Sequence, residues 1–293
     1  MSSTIHDLGY KRYVGTRRPP STRWRVIMRH QIATGWKTWW RYKIWLGMAV
    51  ATTIAMAVMI FVVSDRQVHL SHGIAMRLAD FTLPISLDFY FRAAFFISLT
   101  IGAGVIAGDL QSGAFTFYFA RSTRPRDYLV GKLAGYGLLI AIPSIGGPLL
   151  VACMRLGLVG WENTDELVTQ LALLPKTIAI GVLATLVYTA VPLGISALVP
   201  NRRYALGVWA AYYLIAGSIV AGIGFMTHSD IGALDLATAV KSVAYNLLDF
   251  AGGGRRVSTW AGLASIGGHV ALAIGIIWFQ LTNAQKAGVG GAT

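Results

Sequence analysis

The sequence contains little charge and a single cysteine. Only 13% of its 293 residues are charged, whereas soluble domains average roughly a quarter. The lone cysteine, Cys153, leaves no means of building a disulfide framework or a thiolate metal site. No segment matches G-x-x-x-x-G-K-[ST], so the chain has no Walker-type nucleotide site. Acidic residues are also scarce, 12 against 25 basic ones, which leaves a net charge of +13.

The sequence instead contains long apolar runs. Apolar residues make up 55% of the chain, and a membrane-crossing helix needs about 20 of them in succession. Six runs meet or approach this length, and they predict an all-α polytopic membrane protein with a six-span domain over 44–281. The second run is short unless it begins near Leu87. The runs cover 44–63, 93–107, 128–156, 173–199, 204–226 and 260–281.

The basic residues predict the orientation of these spans. With both termini inside, the cytoplasmic side holds 17 of the 25 basic residues and only three of the 12 acids. The segments 1–22 and 282–293 are then a cytoplasmic arm and tail. A net positive charge also suits nucleic acid, but basic loops that face anionic lipid account for it in so apolar a chain. We therefore expect membrane lipid, and no nucleic acid, among the partners.

A basic, tryptophan-rich segment over 23–43 precedes the first run. On a helical wheel its large apolar side chains cluster on one face. Such a helix suits the cytoplasmic interface, with its apolar face sunk into the acyl boundary. The alternative is that it simply continues span one into the cytosol. The predicted apolar face consists of Trp24, Ile27, Met28, Ile32, Trp36 and Trp39.

A compact basic segment, 108–132, lies between the second and third runs. A polar turn is followed by the aromatic run 114–120, which is too short to cross a membrane and suits a short interfacial helix. A basic turn then leads to Pro125, placed where it would begin the next helix. A plain loop between spans needs only a few polar residues, so this segment is the main functional candidate.

The pattern resembles the cytoplasmic loop of ABC-2-type ABC transporter permeases. That loop has an acidic residue leaving span two, a Gly-Thr or similar pair, a short apolar helix, a Ser/Pro/Arg turn and a Gly-Lys pair opening span three. This sequence departs from it in having Asp rather than Glu, and Ala114 in place of Thr. The matching positions are Asp109, Gly113, 115–119, Arg121, Ser122, Pro125, Arg126, Gly131 and Lys132.

The resemblance implies that this loop is a coupling helix that docks on a separate ATPase subunit. Two ATPase copies would carry ATP and Mg²⁺, and a second permease copy or a paralogue would complete the complex. The chain itself would hold no cofactor or metal and would not be an enzyme. Phe115, Phe117 and Phe119 would pack on the ATPase, while Arg121, Arg124 and Arg126 would make charge contacts. The alternative for each arginine is contact with lipid phosphate.

The resemblance also implies export of an amphipathic substrate across a prokaryotic cytoplasmic membrane. A variant is mechanotransmission, in which ATP drives an external partner protein. Polar side chains within the spans are candidates for a translocation path, although helix packing explains each of them as well. These candidates are Tyr188, Thr189, Tyr212, Tyr213 and His269.

Further interpretations follow from the residues alone. A stand-alone six-span carrier or membrane enzyme would need paired charged groups in mid-membrane, where the sequence offers His269. A membrane scaffold would not need the long, proline-containing third and fourth runs.

His69 and His72, with Asp65, lack a convincing further ligand, so no metal site is predicted. The sequence of segment 227–259 predicts an amphipathic helix. This helix lies in the membrane interface, enters the membrane as a re-entrant segment or packs on the rim of the bundle.

Overall fold

The computed structural model describes residues 20–65, 72–120, 123–157, 164–250, 252 and 256–290. These residues are mainly α-helical and none of them forms a β-strand, which confirms the all-α prediction for this part of the chain. Arg121, His69 and most of the arm 1–22 lie outside the described residues. The helices are α1 (Arg23–Lys37), α2 (Ile44–Asp65), α3 (His72–Ile97), α4 (Val105–Gln111), α5 (Ala114–Ala120), α6 (Pro125–Ala141), α7 (Gly147–Leu156), α8 (Thr164–Leu198), α9 (Arg202–Ala211), α10 (Gly217–Met226), α11 (Leu236–Leu247) and α12 (Thr259–Gly290).

Six helical stretches are long and apolar enough to cross a membrane. They correspond one to one with the six predicted runs and indicate a multi-pass membrane protein. We number them as spans 1 to 6: Trp40–Val62, Asp80–Gln111, Pro125–Leu156, Thr164–Leu198, Arg202–Met226 and Thr259–Lys286.

Span 2 is much longer than the predicted run 93–107. It begins at Asp80 and includes Asp88 and Arg92, whose charges broke the apolar pattern. Asp88 pairs with Lys241 at 2.7 Å, and the Arg92 guanidinium lies 5.8 Å from the centre of the Phe89 ring. The Asp88 charge is thus paired by Lys241 from α11, and the helix continues through both charged positions.

Short π-helical turns interrupt spans 2, 3 and 5, at Ser98–Gly102, Ile142–Gly146 and Tyr212–Ala216. The turn in span 3 contains Pro143, and proline is a common cause of such interruptions. Pro192 lies inside α8 without ending it. Proline therefore accompanies the interruption in span 3 only, since the turns in spans 2 and 5 contain none.

Helix α1 packs directly on α6, the first half of span 3. Gly131 and Gly135, four residues apart on α6, make this approach close. A Cβ added at Gly131 would lie 2.8 Å from the Trp24 carbonyl oxygen, and one at Gly135 would lie 2.8 Å from that of Met28. The buried face of α1 turns away from the predicted apolar face in its second half, where Gln31 rather than Trp36 is buried.

Helix α11 packs on the rim of the bundle, against α12 and α8. Its predicted apolar stripe is buried at Leu236, Val240 and Val243. The side chain of Asp235 caps its first turn by accepting from the backbone N–H of Thr238 at 3.0 Å. Helix α11 is therefore held against the bundle by contacts with its helices.

Candidate functional site

The loop between spans 2 and 3 folds as a helix of seven residues. Gly113 has φ +67° and turns the chain from α4 into α5, a conformation that favours glycine. Pro125 is the first residue of α6, as predicted. The Asp127 carboxylate accepts from the backbone N–H of Arg124 at 3.3 Å and closes the start of that helix. The starts of α5 and of α6 are thus defined by local backbone chemistry.

The inner face of α5 is held by aromatic contacts. The Phe115 ring lies edge-on to Tyr128, with ring centres 5.2 Å apart, and stacks on Phe119 at 5.7 Å. Tyr118 contacts Tyr128 in the same manner at 5.5 Å. Helix α5 also packs against α12. The short helix is therefore attached to spans 3 and 6 as well as to the end of span 2.

The outer face of α5 carries Phe117, whose side chain is 75% exposed. Phe115 was expected to pack on a partner, but it is 6% exposed and faces the chain's own core. The reason is helical spacing, because residues two apart point to nearly opposite faces whereas Phe115 and Phe119 share one. Arg124 and Arg126 are exposed beside α5. The described surface available for docking therefore centres on Phe117 and these two arginines.

Asp109 and Lys132 form an ion pair at the base of α5. The Lys132 ammonium lies 2.8 Å from the Asp109 carboxylate and donates to the Gln31 side-chain oxygen at 3.3 Å. The Tyr128 hydroxyl donates to the same carboxylate at 2.5 Å. Lys132 is 5% exposed, so it braces the site from within, and a direct contact with a partner is excluded in this conformation. The side-chain donors to Asp109 are therefore Lys132 and Tyr128.

This network joins three separate elements. Gln31 comes from α1, Asp109 from the end of span 2, and Lys132 from the start of span 3. Burial, followed by the nearby Asp109 charge, raises the pKa of the Tyr118 phenol above its ordinary value of 10.0. Tyr118 is consequently neutral near pH 7. Gln31 was missed in the sequence because one glutamine on a basic helix carries no recognisable signal.

The candidate path residues form two separate hydrogen-bonded pairs. The hydroxyls of Tyr188 and Tyr213 lie 2.7 Å apart, whereas the Tyr212 hydroxyl lies 2.7 Å from Nε2 of His269. His269 Nδ1 is 2.8 Å from the Ser265 carbonyl oxygen, which can only accept. In a neutral imidazole Nδ1 therefore carries the proton and Nε2 accepts from Tyr212.

Thr189 joins neither pair. Its side-chain oxygen is buried and has no hydrogen-bond partner among the described residues. A Cβ added at Gly137 of span 3 would lie 3.6 Å from this oxygen. The five path candidates thus form two hydrogen-bonded pairs, both of which contact Trp209, and one threonine that belongs to neither pair.

Ion pairs between distant segments lie at the opposite end of the bundle from α5. Arg155 contacts Asp80 at 2.5 Å, and Lys176 contacts Asp249 at 3.1 Å. The Tyr245 hydroxyl donates to Asp88 at 3.1 Å beside the Asp88–Lys241 pair. Burial and the Asp88 charge raise the pKa of Tyr245. Sequence reasoning missed these pairs because their members are 73 to 153 residues apart.

No protein-family model matches the chain, and no curated protein matches it either. Within the described residues, no group of three or more His, Cys, Asp or Glu side chains is placed to hold a metal ion. A functional argument for this protein therefore rests on its own residues, above all on α5 and the network beneath it.

Proposed function

We propose that the chain is the transmembrane permease subunit of an ABC-2-type exporter. Two copies of a separate ATPase, with ATP and Mg²⁺ bound to them, supply the energy, and a second permease copy or paralogue completes the complex. The observation that carries this proposal is a short helix between spans 2 and 3 that is anchored on one face and exposes Phe117 on the other. An anchored helix with an aromatic side chain and adjacent arginines offers packing and charge for a docking partner.

The contacts beneath α5 provide the mechanism of coupling. ATP binding brings the two ATPases together and displaces α5 on each permease. Because Phe115 and Tyr118 pack on Tyr128, the displacement passes to span 3. The Asp109–Lys132–Gln31 network carries it to span 2 and α1. The spans then change between inward and outward access, since coupling needs an element with different contacts in the two states.

The substrate passes between the two permeases, in a prokaryotic cytoplasmic membrane. Span 5 is the least buried span, with 11% of its most apolar window inside the bundle. Ile215, Ile219 and Phe225 are exposed along it. Such a surface faces lipid or a second copy. A substrate path along the apolar surface of span 5 suits an amphipathic substrate.

Retention of ATPase activity tests this proposal. When the chain is purified from its native membranes, we expect ATPase activity to co-purify with it. The double variant Phe117→Ala, Arg124→Ala should lose most of this co-purifying activity. Removing a central aromatic and a charge contact reduces affinity by 10-fold or more, because each such side chain contributes about 1 kcal/mol or more. Phe61→Ala is the matched control, since Phe61 is 70% exposed at the far end of α2. If the double variant retained as much ATPase activity as the unaltered chain, docking through α5 would be refuted.

A stand-alone secondary carrier is the second candidate, and the Tyr212–His269 pair favours it. An ionisable group within a span is a frequent component of proton-coupled transport. In proteoliposomes that contain the chain alone, a carrier would transport when a pH gradient is imposed and would be blocked by a protonophore. The permease proposal expects no transport in that preparation.

A further inference from the structure

A cavity of about 300 Å³ opens beside the Asp109–Lys132 pair. Its walls come from α1, the starts of spans 1, 3 and 5 and the end of span 2. Gly108 lines it, and a Cβ added there would meet no other atom within 4 Å, so this glycine borders open space. Ligand cavities begin at about this volume, which suits a head group rather than a whole large ligand.

Two arginines in the cavity lining, Arg41 and Arg202, have no anionic partner. Both are exposed, and no ion pair or hydrogen bond occupies either guanidinium among the described residues. The Arg202 side chain crosses Gly104, because a Cβ added there would lie 3.0 Å from its Nε. The Thr100 hydroxyl donates to the Arg41 backbone carbonyl at 2.8 Å and holds span 1 against span 2 at this point. Two available guanidinium groups from different spans therefore border one cavity.

The cavity carries an excess of positive charge. Its lining cations are Arg41, Lys132 and Arg202, and its one lining carboxylate is Asp109. Lys132 is neutralised by Asp109 at 2.8 Å, which leaves the charges of the two arginines uncompensated, with His30 counted as neutral. Helix α6 also carries Asp127, but this side chain is buried outside the cavity lining and accepts from the backbone N–H of Arg124. A concave site with such an excess attracts an anion.

The position of the cavity along the spans indicates which anion is at hand. Arg41 is the second residue of span 1 and Arg202 is the first residue of span 5, so both lie where an apolar stretch meets a polar segment. Trp40, next to Arg41, is 73% exposed, and tryptophan is enriched at the level of the lipid head groups. Lipid phosphates lie at this level, and arginine binds phosphate through paired N–H donors.

We propose that this cavity binds the phosphate of an anionic phospholipid between Arg41 and Arg202. The two guanidinium groups donate to the phosphate oxygens, while the acyl chains remain in the bilayer. The lipid thereby connects the start of span 1 with the start of span 5. Binding requires only this chain and a lipid, so the proposal is independent of the proposed ATPase coupling.

A pair of short-chain phospholipids tests the charge requirement. Dihexanoyl phosphatidylglycerol and dihexanoyl phosphatidylcholine both contain a phosphodiester, but the choline ammonium cancels the charge of the second. We expect the detergent-purified full chain to bind the glycerol lipid about 10-fold more tightly in native mass spectrometry titrations, as a charge-assisted contact allows. Equal affinity for the two lipids would overturn the proposal. Displacement of the glycerol lipid by an equal concentration of inorganic phosphate would overturn the lipid as the source of the phosphate.

Arg202→Gln separates a defined site from general attraction between a basic protein and an anionic lipid. We expect it to lower the affinity for phosphatidylglycerol about 10-fold while the lipid-free protein keeps its Tm, because Arg202 has no ion pair to lose. Arg203→Gln is the matched control, since it removes the same charge from an exposed neighbour outside the cavity lining and should keep the affinity. Equal losses in the two variants, or an unchanged affinity in Arg202→Gln, would contradict the assignment.

Discussion

At the scale of single residues, burial decides whether the basic side chain of Lys132 contacts a partner or residues of its own chain. In the sequence it belongs to a Gly-Lys pair that the resemblance connects with coupling to an ATPase. In the structure its ammonium is enclosed by Asp109, Gln31 and the face of Tyr128, whose ring centre is 5.3 Å away. A buried charge is tolerated only with such compensation. Lys132 therefore acts on α5 through the chain's own contacts.

Lys132→Met should lower stability by about 3 kcal/mol, because it leaves the Asp109 carboxylate without its cation. Asp109→Asn in the same chain should restore part of this loss, since the amide oxygen still accepts from Tyr128. The thermal unfolding of both single variants and the double variant in detergent forms a double-mutant cycle. Additive effects of the two changes would show that the ion pair does not contribute to stability.

At the scale of elements, the contact between α1 and α6 depends on small residues. Gly131 and Gly135 lie under the backbone of α1, where a Cβ would come within 2.8 Å of the carbonyl oxygens of Trp24 and Met28. Backbone atoms cannot move aside as the end of a side chain can. The position of α1, and with it the placement of Gln31 on Lys132, therefore follows from the absence of side chains on α6.

Gly135→Ala should separate α1 from α6 and lower stability by about 1–3 kcal/mol, as overpacking does in a dense interior. Gly137→Ala is the control on the same helix, because its Cβ would lie in ordinary contact 3.6 Å from Thr189. The control should be neutral or stabilising, since alanine favours a helix over glycine. The comparison requires only the unfolding temperatures of the two variants. Equal unfolding temperatures for the two variants would mean that α1 can move away from α6 to make room for the added methyl group.

At the scale of the whole molecule, the six spans carry α5 at one end and α11 at the other. The charge distribution predicts that the α5 end faces the cytoplasm, because 17 of the 25 basic residues then lie inside. The proposed docking on an ATPase requires this orientation. The Arg155–Asp80 ion pair then faces the external side.

Cysteine labelling should confirm that orientation. In a Cys153→Ser background, Ser229→Cys should react with a membrane-impermeant maleimide in intact cells, whereas Ser112→Cys should react only after permeabilisation. Both serines are exposed, and they lie at opposite ends of the bundle. The reverse pattern would refute the predicted topology and the role of α5 with it.

The sequence by itself determined the helical class, the six apolar stretches and the position of the short helix between spans 2 and 3. These depend on composition, run length and local signals such as Gly113 and Pro125, which act over neighbouring residues. It could not determine that Phe115 turns inward while Phe117 remains exposed, nor the full extent of span 2. Those outcomes depend on which distant side chains meet.

Only the tertiary structure decided that Gln31 reaches Lys132, 101 residues away, and that Arg155 meets Asp80, 75 residues away. Hydrogen bonds and ion pairs act over a few ångströms, and sequence distance says little about which groups come within that range. The Asp109–Lys132–Gln31 network and the Arg155–Asp80 ion pair exist because helix packing brings these groups together.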